Sequence, residues 1–165
     1  MSVLVPTHFI NVPARKFENG EMRRLADHGE AWTVRVRDRF GDYGISGVAT
    51  FNWEAGGRIM RAGLLFLTCP VLGRQVEYGF MAWIAHLAEA RGAELIEIPF
   101  NAGRDNHGFK KLLEDVAGVS MQGAETIFRL PVPGLVDAIT RKAPDPSLLS
   151  SMMVNTQFDR VPLSA

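Results

Sequence analysis

Apolar and polar positions along this chain change rhythm twice. From residue 31 to 39 they alternate, with Trp32, Val34 and Val36 set against Thr33, Arg35 and Arg37. That is the signature of a half-buried strand. Upstream, residues 7–12 read as a first strand. Residues 18–29 read as a helix, in which Met22, Leu25 and Ala26 share one face and Gly29 is the stop. Phe40, Gly41, Asp42, Tyr43 and Gly44 form a turn, residues 45–54 return as a strand, and Ala55, Gly56 and Gly57 turn into another strand ending at Cys69. The three strands form an antiparallel meander.

The second change comes at residues 64–67, which are apolar on both faces, as a central strand requires. Residues 76–90 follow with Val76, Phe80, Trp83, Ile84 and Leu87 on one helical face and Gly92 as the stop. Residues 95–100 form a strand that a helical crossover makes parallel to the one before it. Residues 107–116 form a shorter helix and residues 125–130 a last strand. The order β-α-β-β-β-α-β-α-β resembles the GNAT acyltransferase fold, which implies an α/β (α+β) domain with a mixed, mostly antiparallel sheet and flanking helices. That domain is expected over residues 1–130. Residues 131–165 hold five of the nine prolines and read as a C-terminal extension, packed on the domain, on a second subunit in a homodimer, or loose. A short amphipathic helix is expected at residues 148–154.

At 165 residues, 47% apolar and 22% charged, the chain suits one compact domain. About two-thirds of its unfolded surface can be buried at that length, so no disulfide or metal is needed to hold it. Eighteen basic and eighteen acidic residues cancel, leaving no global field for nucleic acid or an anionic membrane. Arg35, Arg37 and Arg39 on one strand side are either a solvated face or a docking patch for an acidic carrier protein. The single cysteine suits a reducing cytoplasm. No apolar run is long enough to span a bilayer, and no metal-ligand spacing, Walker loop, Rossmann fingerprint or nucleophile elbow is present.

The stretch Thr68, Cys69, Pro70, Val71, Leu72, Gly73, Arg74, Gln75, Val76, Glu77 carries the most chemistry. It places the only thiol between a buried strand and a helix N-terminus, where the helix dipole favours a thiolate. It also resembles the Ser-Cys-Arg-Val-Leu-Gly-Arg-Gly-Val-Glu signature in the C-terminal, GNAT-like part of FkbH-like glyceryl transferases. Residues 32–44 are similar to that family's Val-Arg-x-x-Asp-Arg-Phe-Gly-Asp-x-Gly block. Residues 7–17 keep Asn11 and Arg15 of its first strand, and residues 91–106 keep Phe100 and Asn106 in register. The resemblance covers about residues 7–130.

It implies transfer of a glyceryl-like acyl unit to an acyl carrier protein in polyketide-type biosynthesis, through a thioester on Cys69. In the GNAT fold the strand before the crossover helix splays from the next strand, and acyl-pantetheine lies in the gap. Leu72, Gly73, Arg74 and Gln75 would then hold the pantetheine phosphate, since helix-start amides bind phosphate. The phosphopantetheine of a carrier, or an acyl-CoA, is the expected co-substrate, with no permanently bound cofactor. Pro70 stands where the motif has a cation and Gln75 where it has a small residue, which weakens a site for the full coenzyme A pyrophosphate. The family's phosphatase-like half is not in this sequence, so the resemblance implies either a separate HAD phosphatase-like protein as a partner or a different acyl unit already held as a thioester.

His107 is a candidate general base for Cys69 or an incoming thiol, or a solvated loop histidine. Asn11, Asp42 and Asn106 are candidates for binding the acyl unit, although Asp42 between Gly41 and Gly44 is also a natural turn residue. Glu97, a carboxylate in mid-strand, is expected at an edge or facing solvent. Trp32, Trp53 and Trp83 read as core. Two alternatives stand beside the thioester reading: a conventional acetyl-CoA-dependent N-acetyltransferase, and a non-catalytic domain that docks a carrier or partner enzyme.

Overall fold

Seven strands hydrogen-bond into one mixed sheet: β1 (Ile10–Val12), β2 (Glu30–Asp38), β3 (Gly41–Glu54), β4 (Ile59–Leu67), β5 (Leu95–Asn101), β6 (Glu125–Pro131) and β7 (Thr156–Arg160). The computed structural model describes residues 10–12, 24, 29–38, 40–68, 75–103, 106–123, 125–147, 149 and 156–162. The strand order is β6-β5-β4-β3-β2-β7, with β1 added on β4. Only the β4–β5 pair is parallel, and the other pairs are antiparallel. Helices α1 (Val76–Ala90), α2 (His107–Ala117) and α3 (Leu135–Lys142) and a 3₁₀ turn over Ala55–Gly57 complete the described elements. This is the mixed, mostly antiparallel sheet with flanking helices that the sequence implies.

Periodicity accounts for most of these elements. In β2, Val34 and Val36 are buried while Arg37 is exposed. Helix α1 buries Val76, Phe80, Ile84 and Ala88 at four-residue spacing, with Met81 and Ala85 widening the stripe. It ends where Gly92 adopts φ +74°, which lets the Ala93 N–H return to the Ala88 carbonyl at 2.9 Å. Side chains from the three helices join Val34, Phe51, Met60, Ile96 and Ile98 in one core cluster. The three tryptophans pack against that cluster, and Trp83 stacks on Phe158 of β7 at 4.2 Å between centroids.

Several expectations need correction. Strand β3 begins at Gly41 rather than residue 45, because two aspartates supply the reversal. The Asp38 carboxylate accepts the Phe40 and Gly41 N–H groups at 2.7 and 3.2 Å, and that of Asp42 accepts the Gly44 N–H at 2.8 Å. The strand expected to run to Cys69 ends at Leu67. Beyond residue 131 the chain is more regular than its prolines suggest: α3 forms, and β7 pairs with β2, Phe158 opposite Val34. Glu97 is neither at an edge nor in water. It is 7% exposed on β5, between β4 and β6. The helix expected at residues 18–29, apart from Arg24 and Gly29, and the one at residues 148–154, apart from Leu149, lie outside the described residues.

Candidate functional site

The site is built where β4 and β5 part. They pair only over Ile59–Leu95, Met60–Ile96 and Arg61–Glu97. Past that rung β4 carries a bulge: Phe51 of β3 opposes Ala62 and Thr50 opposes Leu64, so Gly63 is the extra residue. The Leu64 N–H donates to Thr50 Oγ1 at 2.9 Å, a side chain standing in for a lost ladder partner. A bulged strand bends, and β4 leaves β5 here. The result is a wedge with its apex at Arg61 and Glu97.

The apex is held by charge. The Glu97 carboxylate accepts from Arg61 Nη1 at 2.7 Å and from Arg129 Nε at 3.0 Å, so three adjacent strands are tied in one row. A carboxylate this buried needs both partners.

Strand direction gathers the described candidates toward the open end of the wedge. β4 and β5 are parallel and both end there, at Leu67 and Asn101. The Thr68 N–H donates to the Ser46 carbonyl at 2.8 Å, which puts the β2–β3 reversal, with Asp42, at the same end. Helix α1 is the crossover between β4 and β5 and so starts at this end, and the bond from Asn106 Nδ2 to the Asn101 carbonyl keeps the start of α2 at the end of β5.

The individual side chains are occupied in specific ways. Asn106, 2% exposed, accepts the Gly103 N–H at 2.8 Å and donates to the Asn101 carbonyl at 2.8 Å. It therefore braces the turn from β5 into α2. His107, the first residue of α2, is exposed. Asp42 accepts from Arg37 Nε at 2.8 Å and Arg35 Nη1 at 3.4 Å. The Gly44 N–H, and then Arg37 and Arg35, hold its carboxyl below the usual carboxylate range. Those pairs also draw Arg35 and Arg37 onto a carboxylate of their own chain.

Gln75 takes the left-handed conformation, φ +64°, immediately before α1, and its carbonyl accepts the Tyr78 and Gly79 N–H groups at 3.1 Å each. A glycine adopts that backbone freely. The glutamine here fixes its side chain instead, accepting the Asp145 N–H at 2.8 Å. Glu77 lies in the first turn and already complements the helix dipole. Asn11 is placed by register, opposite Phe66 of β4. Cys69, Leu72, Gly73 and Arg74 lie outside the described residues, although Cys69 follows Thr68 directly in the chain.

Sequence reasoning missed two features around the start of α1. Asp145 reaches the start of α1 from the segment after α3, a link across seventy positions that leaves no local signal. Tyr78, in the first turn of α1, has its phenol pushed above the usual value by burial and then by the charges of Asp115 and Glu77, so it remains protonated and able to donate. Among the described residues no group of His, Cys, Asp and Glu could hold a metal ion, and no helix is long and apolar enough to cross a membrane.

No family model and no curated protein matches this chain. Among solved structures it is similar to Tetrahymena GCN5, at 11% identity over 75% of this chain and 95% of that one, with a TM-score of 0.45. A likeness of that size carries no functional weight. The parted β4–β5 pair joined across α1 is the feature that agrees with the GNAT-like architecture implied by the element order.

Proposed function

We propose that the protein is a GNAT-like acyltransferase that passes a glyceryl-like acyl unit from a thioester donor to the phosphopantetheine thiol of an acyl carrier protein, by way of Cys69. The observation that supports this most is the wedge, whose open end collects the end of β4, the starts of α1 and α2, and the β2–β3 reversal. In this reading the Cys69 thiolate attacks the donor's thioester carbonyl. The tetrahedral oxyanion collapses, the donor thiolate leaves, and acyl-Cys69 remains. The carrier thiol then gives its proton to His107 and attacks the acyl-cysteine. That step expels the Cys69 thiolate and forms the product thioester. Asn106 acts by fixing the turn that presents His107, and Asp42 by fixing the hairpin beside it. Asn11 sits on β1, along the β4 edge that the arm would use, and is given no acyl contact in this reading; Leu72, Gly73, Arg74 and Gln75 are the candidates for the pantetheine phosphate.

Intact-mass spectrometry tests the proposal. Acyl-loaded carrier protein should add one acyl mass to the wild-type chain and none to Cys69→Ala. Transfer that proceeds undiminished in Cys69→Ala overturns the covalent relay. A second reading, a non-catalytic domain that docks a carrier, is favoured by one specific observation: β1 lies along the β4 edge inside the wedge. Carrier binding with neither acyl-enzyme nor turnover would establish it.

A further inference from the structure

The wedge is already entered by a strand of the same chain. β1 runs antiparallel to the end of β4, with Ile10 opposite Leu67, Asn11 opposite Phe66 and Val12 opposite Leu65. The other edge of those three β4 residues is taken by Gly47, Val48 and Ala49 of β3. β1 therefore lies on the edge that looks toward β5, and it lies against β5 as well. The β4–β5 ladder has by then stopped, at Arg61 and Glu97. The backbone groups that the bulge would expose are thus covered by three residues of the N-terminal segment.

From this geometry we infer that β1 is a displaceable strand gate, holding the β4 edge of the wedge until an extended, amide-bearing arm such as phosphopantetheine takes its place. The inference rests on the acyl-pantetheine reading above and adds a regulated step to it. An open strand edge binds any extended chain that can meet its N–H and C=O groups. A pantetheine arm carries two amides in an extended chain and can meet the same groups, so arm and β1 compete for one edge. Three residues make a strand about half the usual length, and its hold is correspondingly slight. The arm binds only the fraction of molecules with β1 released, so its apparent affinity falls by that fraction.

Hydrogen exchange on the full chain, read by mass spectrometry, tests the gate with 4′-phosphopantetheine and coenzyme A as separate probes. The β4-facing amides among residues 10–12 should be protected in the free protein and should exchange at least tenfold faster with saturating probe. The β1-facing amides among residues 65–67 should stay protected, because the arm replaces β1 on them. The variant Asn11→Pro/Val12→Pro removes two neighbouring amides, one of which must face β4. The variant should bind the probes at least fivefold more tightly by calorimetry, with its thermal melt checked to confirm folding. Binding to the variant but not to the wild type also supports the gate. Binding that leaves residues 10–12 protected, with equal affinity in the variant, overturns the gate and leaves the acyltransferase reading standing. No binding to either chain at millimolar probe overturns both.

Discussion

Arg61 Nη1 donates to Glu97 Oε2 at 2.7 Å on the last rung that β4 and β5 share. One residue pair thus both closes the parallel ladder and marks where the two strands separate. Arg129 reaches the other Glu97 oxygen at 3.0 Å from β6, so the carboxylate is the middle of a three-strand tie.

Arg61→Ala should lower stability by about 1.5–3 kcal/mol, the range for a lost hydrogen bond to a charged group. The arginine is itself one-third exposed, which keeps the loss below that of a fully buried pair. Urea denaturation measures it. Hydrogen exchange should show the amides of residues 59–61 and 95–97 weakening first, as the wedge extends by one or more rungs. Uniform weakening across the sheet would refute the role of this pair as the apex.

The hairpin carboxylate gives a pH signature. The folded protein holds the Asp42 carboxyl below its ordinary 3.8, through the Gly44 N–H and then Arg37 and Arg35. A depressed carboxylate contributes stability that is complete above its unfolded value and lost as pH falls through the folded one. Asp42→Ala should therefore melt at a lower temperature than wild type at pH 6. The gap should close as pH falls through the folded value, below which the carboxylate is neutral in both states. A gap that does not narrow at all on acidification would assign the effect to turn geometry alone.

Much of this architecture could be read from residue spacing, and the failures share a cause. Helix α1 runs over residues 76–90 as expected, because Val76, Phe80 and Ile84 repeat locally and Gly92 ends them. Helix α3 has the same four-residue signal in Leu135 and Ile139, but it is short and flanked by Pro131, Pro133, Pro144 and Pro146. β7 offers one core residue, Phe158, in five, too little to show alternation. Glu97 was misplaced because its partners lie 36 positions before and 32 after it in sequence. Pairing of that range is settled by topology, and so is the position of β1 inside the wedge. At the candidate site the spacing identified residue types, while their hydrogen bonds assign Asn106 and Asp42 to bracing loops.

Glu30 should act as the clasp for β7. Its carboxylate, 7% exposed, accepts from Arg91 Nη1 at 2.6 Å, and Arg160 Nη2 lies 3.2 Å from the same oxygen. That joins the start of β2, the end of α1 and the last residue of β7. Glu30→Gln keeps the shape and removes the charge. It should cost about 1–3 kcal/mol and raise exchange at residues 156–160 before any other strand. Unchanged protection there would show that the ladder with β2 and the Trp83–Phe158 stack hold β7 without the charge.

Gln75 sets two effects against each other, and a pair of substitutions separates them. A residue with a Cβ pays about 1 kcal/mol for the left-handed conformation at φ +64°, whereas glycine does not. Its side chain in turn accepts the exposed Asp145 N–H, a bond worth about 0.5–1 kcal/mol. Gln75→Ala keeps the strain and loses the bond, so it should destabilise by about that amount. Gln75→Gly loses the bond and the strain together but adds unfolded-state entropy, and should fall within about 0.5 kcal/mol of wild type. Both variants should speed exchange at Asp145, because both cut the link between the start of α1 and the segment after α3. If Gln75→Gly proves as destabilising as Gln75→Ala, the backbone is unstrained. The glutamine would then be held there by its hydrogen bond alone.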